Sequence, residues 1–576
     1  MPFKPEKLMK KNSNNIELKI EYYHELEIQF AEGIKLLQQN KITTAKEIFN
    51  QILLINPNHF ASLHVLGIIA ANRNQHLLAL ELLEKAITIN PNNAQALCHY
   101  GDSLEVLNRF EEAISSYSIA ILSSPNFAEA YYKKGATFNK IFKYREAILN
   151  FDKVIELKPE HAKAHNGRGI ALLGLKQFNE ALLFITKSIE LDSNFPDAYN
   201  NRGIVLVELQ KFNEALISFN QAIELQPNHL EAHINQGNLL LELRDLEAAC
   251  NSYDNATKIK SNKAEAIWGK SVALLLNGEY KKGFELYESR WGKDDIAIHK
   301  RNFEHPSLLN AVEIYGKTIF IYAEQGLGDT IQFCRYSILL KDRGARVILE
   351  VPKALMGLLS SLQGVDTLLE KGKCIPKFDY HCPLLSLPLA FKTDKETIPH
   401  FTKYLFANKD KVNKWEKILG AKVIKRIGLV WSGSTIHKND HNRSFSLQHL
   451  LPHLPNDYRY VCLQKELREI DKNCLNDSNI EFYGDFLDDF TDTSALCELM
   501  DIVITVDTSV AHLAGAMGKT TWILLPYVPD WRWLLDGENS DWYKTVKLYR
   551  QGKDRDWHPV LTHVAKDLQA YFRTTA

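Results

Sequence analysis

The chain has 576 residues, too many for one ordinary hydrophobic core, so three or more units of about 100–200 residues each are expected. Its 69 basic and 70 acidic residues leave a net charge of −1, which excludes a global field favouring nucleic acid or an anionic membrane. The eight cysteines are scattered without a C-x-x-C pair, the pattern of reduced thiols in a cytoplasmic protein and not of a disulfide framework or a zinc site.

The N-terminal stretch MPFKPEKLMKKNSNNIELKI carries lysines but lacks the apolar stretch of a secretory signal, and no run approaches 18 consecutive apolar residues. Residues 1–25 therefore read as a lead-in to a soluble chain that is not exported and has no transmembrane segment. From residue 26 a period takes over. Gly33, Gly67, Gly101, Gly135, Gly169, Gly203 and Gly237 recur every 34 residues, as do Ala45, Ala79, Ala113, Ala147, Ala181, Ala215 and Ala249. A third column holds Pro57, Pro91, Pro125, Pro159 and Pro227, with Ser193 and Ser261 in the gaps. A fourth is always bulky and apolar, from Phe49, Leu83, Tyr117 and Phe151 to Ile185, Phe219 and Tyr253. Small Gly and Ala let two antiparallel helices approach, the bulky residue fills the space between them, and Pro stops the second helix. Over residues 26–263 this period and order resemble the tetratricopeptide repeat. Seven full repeats and a degenerate eighth, with Ser271 and Gly283 in place of Gly and Ala, predict an α solenoid over 26–297.

Residues 298–315 read as a linker, after which apolar β-type runs alternate with helical patterns. Strands are predicted at 317–324, 345–351 and 365–371, with a helix over 329–344, and a helix at 409–420 joins two halves. Further strands follow at 426–433, 458–464, 480–484, 501–506 and 521–526. The expected fold class is an α solenoid followed by α/β, with two tandem Rossmann-like domains at 316–420 and 421–576.

In such sheets ligands bind beyond the carboxyl ends of the strands. The first junction, AEQGLGDT, offers Gly326 and Gly328 for a sharp turn and close backbone approach. Asp329 follows, where it is either a helix cap or a group facing a ligand. The second, VWSGSTIHKNDHNRSFSL, is a polar loop whose Ser432, Lys438 and Arg443 suit an anion, although a solvated loop accounts for the same charges. At the third, DIVITVDTSVAHLAGAMGK, Thr508 or Ser509 caps a helix whose N-terminus favours a phosphate and holds His512 neutral. Asp507 is an acceptor for hydroxyls or amides, and a cap beside a core histidine is the plainer alternative. Trp531, Trp533, Trp542 and Tyr543 read as core packing.

The pair G-L-G-D (326–329) and D-T-S-V-A-H (507–512), in this order and about 180 residues apart, resembles glycosyltransferase family 9. That is the bacterial lipopolysaccharide heptosyltransferase group, whose two-Rossmann arrangement is called GT-B. The stretches HCPLLSLPLAF, VDTSVAHLAGAMGK and DWRWLL further resemble the bacterial subgroup that joins such a domain to tetratricopeptide repeats. The resemblance, over about residues 316–572, implies a metal-independent, inverting transfer of sugar from a nucleotide sugar, with no cofactor. It implies that Asp329 is the general base, and that Asp507, Thr508, Ser509 and His512 bind the donor diphosphate. It further implies that Lys438, with Arg443 second, stabilises the leaving group and that Gln464 lies near the nucleoside, so that 316–420 is the acceptor side and 421–576 the nucleotide-sugar side.

A stacked solenoid presents an extended surface that a small-molecule enzyme does not need, so a macromolecular acceptor, first of all a protein, is expected. Asn201 and Asn235, each two residues before a column glycine, either grip the backbone of an extended peptide or stand solvated. Three functions stay open: a cytoplasmic glycosyltransferase whose repeats present the acceptor, a scaffold with a retired transferase domain, and an envelope-glycan assembly enzyme.

Overall fold

The structure, a computed structural model, describes residues 16–437 and 439–574. Lys438 and the first part of the predicted lead-in lie outside the described residues. The chain divides into two compact units between Ala232 and His233.

In the first unit, helices come in contacting pairs joined by short turns: Ile16–Gln38 with Ile42–Ile55, Phe60–Asn72 with His76–Ile89, and Ala94–Val106 with Phe110–Ser123. Ala128–Lys140 with Tyr144–Leu157, Ala162–Gly174 with Phe178–Leu191, and Pro196–Glu208 with Phe212–Leu225 continue the series. The first helix begins inside the predicted lead-in.

The sequence columns explain the pairing. A Cβ on Gly101 would fall 2.5 Å from Tyr117 Cε1, one on Gly169 2.3 Å from Ile185 Cγ1, and one on Gly203 2.4 Å from Phe219 Cε1. Each glycine therefore receives the bulky column residue of its own repeat, while the alanine column lies fully buried beside it. Another column escaped the sequence. Asn40, Asn74, Asn108, Phe142, Lys176 and Gln210, one in each turn between paired helices, all adopt φ between 57° and 61°. The backbone is left-handed there whatever the residue type. A further column caps the first helices, where His59 Nδ1 accepts from Ser62 N–H (3.2 Å), Asn93 Oδ1 from Ala96 N–H (2.9 Å) and His161 Nδ1 from Ala164 N–H (3.1 Å).

The second unit opens inside helix Leu230–Glu242 and contains the end of the repeat series, Leu246–Ile259, Ala264–Leu276 and Tyr280–Tyr287. The degenerate eighth repeat keeps its geometry by other means: the Ser271 hydroxyl donates to the Gly283 carbonyl at 2.9 Å, and Gly278 takes the left-handed turn at φ 80°. Its rings then leave the solenoid pattern. Tyr280, Phe284 and Tyr287 pack on Trp531 with centroids 6.4, 5.5 and 6.3 Å away, inside the core of the parallel-sheet region. Glu242 pairs with Arg555 at 3.0 Å, and Arg244 lies over the Tyr527 ring.

Two wholly parallel sheets follow. The first contains β1 (Thr318–Tyr322), β2 (Arg346–Val351), β3 (Thr367–Glu370) and β4 (Tyr380–Pro383), in the order β3-β2-β1-β4. The second contains β5 (Arg426–Val430), β6 (Arg459–Cys462), β7 (Ile480–Phe482), β8 (Ile502–Val506), β9 (Thr521–Leu525) and β10 (Val546–Arg550). Its order, β10-β9-β8-β5-β6-β7, is the doubly wound order 3-2-1-4-5-6. Strands β5 and β8 are buried along their whole length, as central parallel strands must be.

The elements depart from expectation in three places. β4 and β10 were not predicted: YHCP is short and ends in proline, and VKLYR carries two basic residues on an edge. The helix expected over 329–344 is two, Leu327–Phe333 and Tyr336–Asp342. Between them the buried Arg335 donates through Nε to the Gln332 carbonyl (2.8 Å) and through Nη1 to the Trp542 carbonyl (2.8 Å). The predicted linker 298–315 is packed, with Phe303 against Phe320, Tyr322 and Phe378 and Arg301 paired with the buried Glu350 at 2.5 Å.

Candidate functional site

Asp329 follows β1, Ser432 and Arg443 follow β5, Gln464 follows β6, and Asp507 to His512 follow β8, all beyond the carboxyl ends of the strands, where open parallel sheets bind ligands. Helix Leu327–Phe333, after β1, packs on helix Ser509–Ala516, after β8. The contact is close enough to require glycine, since a Cβ on Gly328 would lie 2.8 Å from His512 Cδ2. The G-L-G-D and D-T-S-V-A-H segments thus meet across the two sheets.

Asp329 is both a cap and an ion-pair partner. Its Oδ2 accepts the Gly326 N–H at 2.8 Å, reaching back to the N-cap backbone, and its Oδ1 accepts from Arg532 Nη2 at 2.6 Å. The same guanidinium donates through Nη1 to Asp530 Oδ1 (2.8 Å) and through Nε to Gln332 Oε1 (2.6 Å).

Helix Ser509–Ala516 starts at Thr508, which occupies the N-cap position without making a side-chain cap. Its Oγ1 lies 3.3 Å from Thr505 Oγ1, and Ser509 is the first helical residue. The leading N–H groups therefore have no side-chain cap from Thr508, an arrangement suited to an anion. Asp507, whose side chain is 14 % exposed, has its carboxyl pushed up to about 6 by burial, with the Asp530 carboxylate adding to the rise. Arg443 Nη1 donates to the Asp507 carbonyl at 2.8 Å and so draws the loop after β5 onto the same junction.

His512 is buried between Trp533, stacked on it at 5.3 Å, and Tyr543, whose hydroxyl is 3.0 Å from Nδ1; Nε2 faces Asp507 Oδ1 at 3.9 Å. Burial first, then the charges of Arg532, Arg335 and Arg443, hold its pKa well below the ordinary histidine value. The imidazole is neutral, as the sequence implied, but the helix end is not the leading cause.

Ser432 and Gln464 form a separate lock. Gln464 Oε1 accepts from Trp431 N–H at 2.8 Å and Nε2 donates to Ser432 Oγ at 3.0 Å, so the amide fastens β5 to β6. Asn201 Nδ2 donates to Asn166 Oδ1 at 3.0 Å in the first unit, whereas Asn235 belongs to the second. Sequence reading missed Arg532, Asp530 and the support given by Trp533 and Tyr543, all inside the aromatic stretch assigned to packing.

Three tetratricopeptide repeat models match the chain, at residues 143–199, 196–229 and 230–263. The helical series is thus a tetratricopeptide-repeat solenoid, followed by a region of parallel sheets. Protein FlbA of Caulobacter vibrioides is 23% identical over an alignment of 337 residues that covers 52% of this chain and 54% of that protein. The chain spans about half the length of this curated relative. A tetratricopeptide repeat protein from Parabacteroides merdae is 18% identical over 43% of this chain and 98% of its own, with a TM-score of 0.39. YrrB, described as a TPR protein with an unusual peptide-binding site, is 27% identical over 33% of this chain and 97% of its own, with a TM-score of 0.27. Among the described residues no helix is long and apolar enough to cross a membrane.

Proposed function

We propose that the parallel-sheet region is a GT-B-type glycosyltransferase that moves a sugar from a nucleotide sugar to a polypeptide carried by the repeats. The observation that carries this reading is the packing of Gly328 on His512, which brings the junction after β1 against the uncapped Thr508 position after β8. An acceptor hydroxyl beside Asp329 and a diphosphate at the start of helix Ser509–Ala516 would then be neighbours. In this reading Asp329 takes the acceptor proton as the hydroxyl attacks the anomeric carbon. Arg443, Lys438 and the helix N-terminus receive the charge growing on the departing diphosphate. The neutral His512 contributes a hydrogen bond and not a charge.

A scaffold with a retired transferase region is the second reading, and one observation favours it: both Asp329 oxygens are already engaged, by Gly326 N–H and by Arg532. A nucleotide-sugar panel separates the two. Binding to the native state raises the melting temperature, so at least one donor should shift the unfolding of the purified chain. Asp329→Asn should keep that shift and lower turnover by roughly 10²–10⁴-fold. No shift with any donor and no transfer to protein or lipid-linked acceptors would leave the scaffold reading. Transfer to lipid-linked acceptors alone would favour the envelope-glycan alternative.

A further inference from the structure

The repeats offer one section of surface unlike the rest. Successive first helices are tied by polar pairs: His64 to His99 at 2.8 Å, Lys133 to Asp102 at 2.8 Å, Lys140 to Glu105, and Asn201 to Asn166. Between Ala128–Lys140 and Ala162–Gly174 the tie runs from a side chain to the backbone, from Asn139 to the Gly167 carbonyl. Gly167 stands where the neighbouring repeats place Lys133 and Asn201, and a Cβ there would lie 2.5 Å from Phe151 Cζ. Beside it lies a cavity of about 320 Å³ whose apolar lining includes Tyr132, Ala136, Phe151 and Ile170. Asn139 donates from Nδ2 to the Gly167 carbonyl at 2.8 Å, while its Oδ1 is buried with no hydrogen-bond partner among the described residues.

A second cavity, of about 280 Å³, adjoins the first and shares Tyr132 and Lys163 with it. Its lining includes the exposed Lys158 and Lys163, while Lys133, also there, is already paired with Asp102 at 2.8 Å and Glu129 at 3.5 Å. An apolar cavity and a basic cavity in direct succession match neighbouring residues of one extended chain.

We propose that this section anchors an extended peptide segment in which an apolar, preferably aromatic, residue stands next to acidic ones. The apolar side chain fills the cavity beside Gly167, and the neighbouring carboxylate meets Lys158 and Lys163. Every group involved lies within the first compact unit, so the inference stands whether or not the sheet region transfers sugar.

The test uses the full chain and a fluorescein-labelled ten-residue peptide with one phenylalanine flanked by glutamates in a glycine–serine background, read by fluorescence polarisation. Serine in place of the phenylalanine should weaken binding about tenfold or more. Glutamine in place of the glutamates should weaken it roughly three- to tenfold at low salt, an effect that fades near 0.5 M salt. Lys163→Glu, on an exposed side chain, should lose the preference for glutamate. Ala136→Leu should fill the cavity and lose the preference for phenylalanine, with unchanged melting showing that both variants fold. No binding of the parent peptide overturns the proposal, as does equal binding of the phenylalanine and serine peptides. Affinities untouched by both substitutions would place any binding elsewhere and overturn it as well.

Discussion

Arg532 Nη2 donates to Asp329 Oδ1 at 2.6 Å, joining the first helical turn after β1 to the loop after β9. The arginine side chain is 7 % exposed and the aspartate 22 %. One guanidinium therefore serves carboxylates from both sheets, Asp329 and Asp530, within a largely dry setting.

Breaking that arrangement from the cationic side leaves two carboxylates without their shared partner. Arg532→Ala should destabilise the second unit by about 1–3 kcal/mol, because the carboxylates it strands are only partly buried, Asp329 being 22 % and Asp530 37 % exposed. Asp329→Asn should cost less, and the double variant less than the sum by roughly 1–3 kcal/mol. Denaturant titration of the four proteins measures this coupling, and additive losses would mean that the two side chains do not work as a pair.

Asp507 makes a pH-dependent prediction. Its folded pKa, about 6, lies above the ordinary value of 3.8. The native state therefore holds more protons than the unfolded chain between those values, and this group's contribution to stability falls as pH rises through that window. Above it the charged carboxylate costs on the order of 2–3 kcal/mol. Asp507→Asn should thus raise the melting temperature relative to the parent at pH 7.5 and lose that advantage by pH 4. A gap between the two proteins that stays constant across the range would contradict the assignment.

The glycine column predicts a size-specific defect. Gly203→Ala puts a methyl group where Phe219 Cε1 already lies 2.4 Å away, and overpacking of this kind costs about 1–3 kcal/mol. Adding Phe219→Leu should recover part of the loss, because the smaller side chain vacates the contact. Thermal melts of the single and double variants decide the point.

Phe142 holds φ at 60° while 76 % exposed, so its ring contributes little burial to offset the left-handed backbone. Phe142→Gly should stabilise the first unit by about 1 kcal/mol, despite glycine's looser unfolded state. A melting temperature that falls would show that the ring contact with Tyr144 outweighs the backbone term.

The contrast between Gly203 and Phe142 shows what can be read from the chain alone. A position that admits only one residue type, such as a glycine under a phenylalanine, writes itself into every repeat. A turn that several residues can enter at modest cost leaves no common letter, although its geometry is equally regular. The sheets divide in the same way: β8 is legible because both of its faces are buried, whereas β10 mixes lysine and arginine into an edge. At the site, the polar junctions after β1 and β8 stand out in sequence. Arg532, flanked by two tryptophans, looks like packing, and its role depends on Asp329, some 200 residues away.

The contact of Tyr280, Phe284 and Tyr287 with Trp531 bears on how the molecule comes apart. A fragment cut where the repeat period fades, near residue 297, would leave Trp531 without the rings that cover it in the intact chain. Such a piece should be recovered mainly in inclusion bodies or bind hydrophobic dyes strongly. A fragment beginning at His233 takes its aromatic lining with it. The terminal repeat is thus part of the interior of the parallel-sheet half, and trimming experiments guided by repeat counting alone would remove that lining.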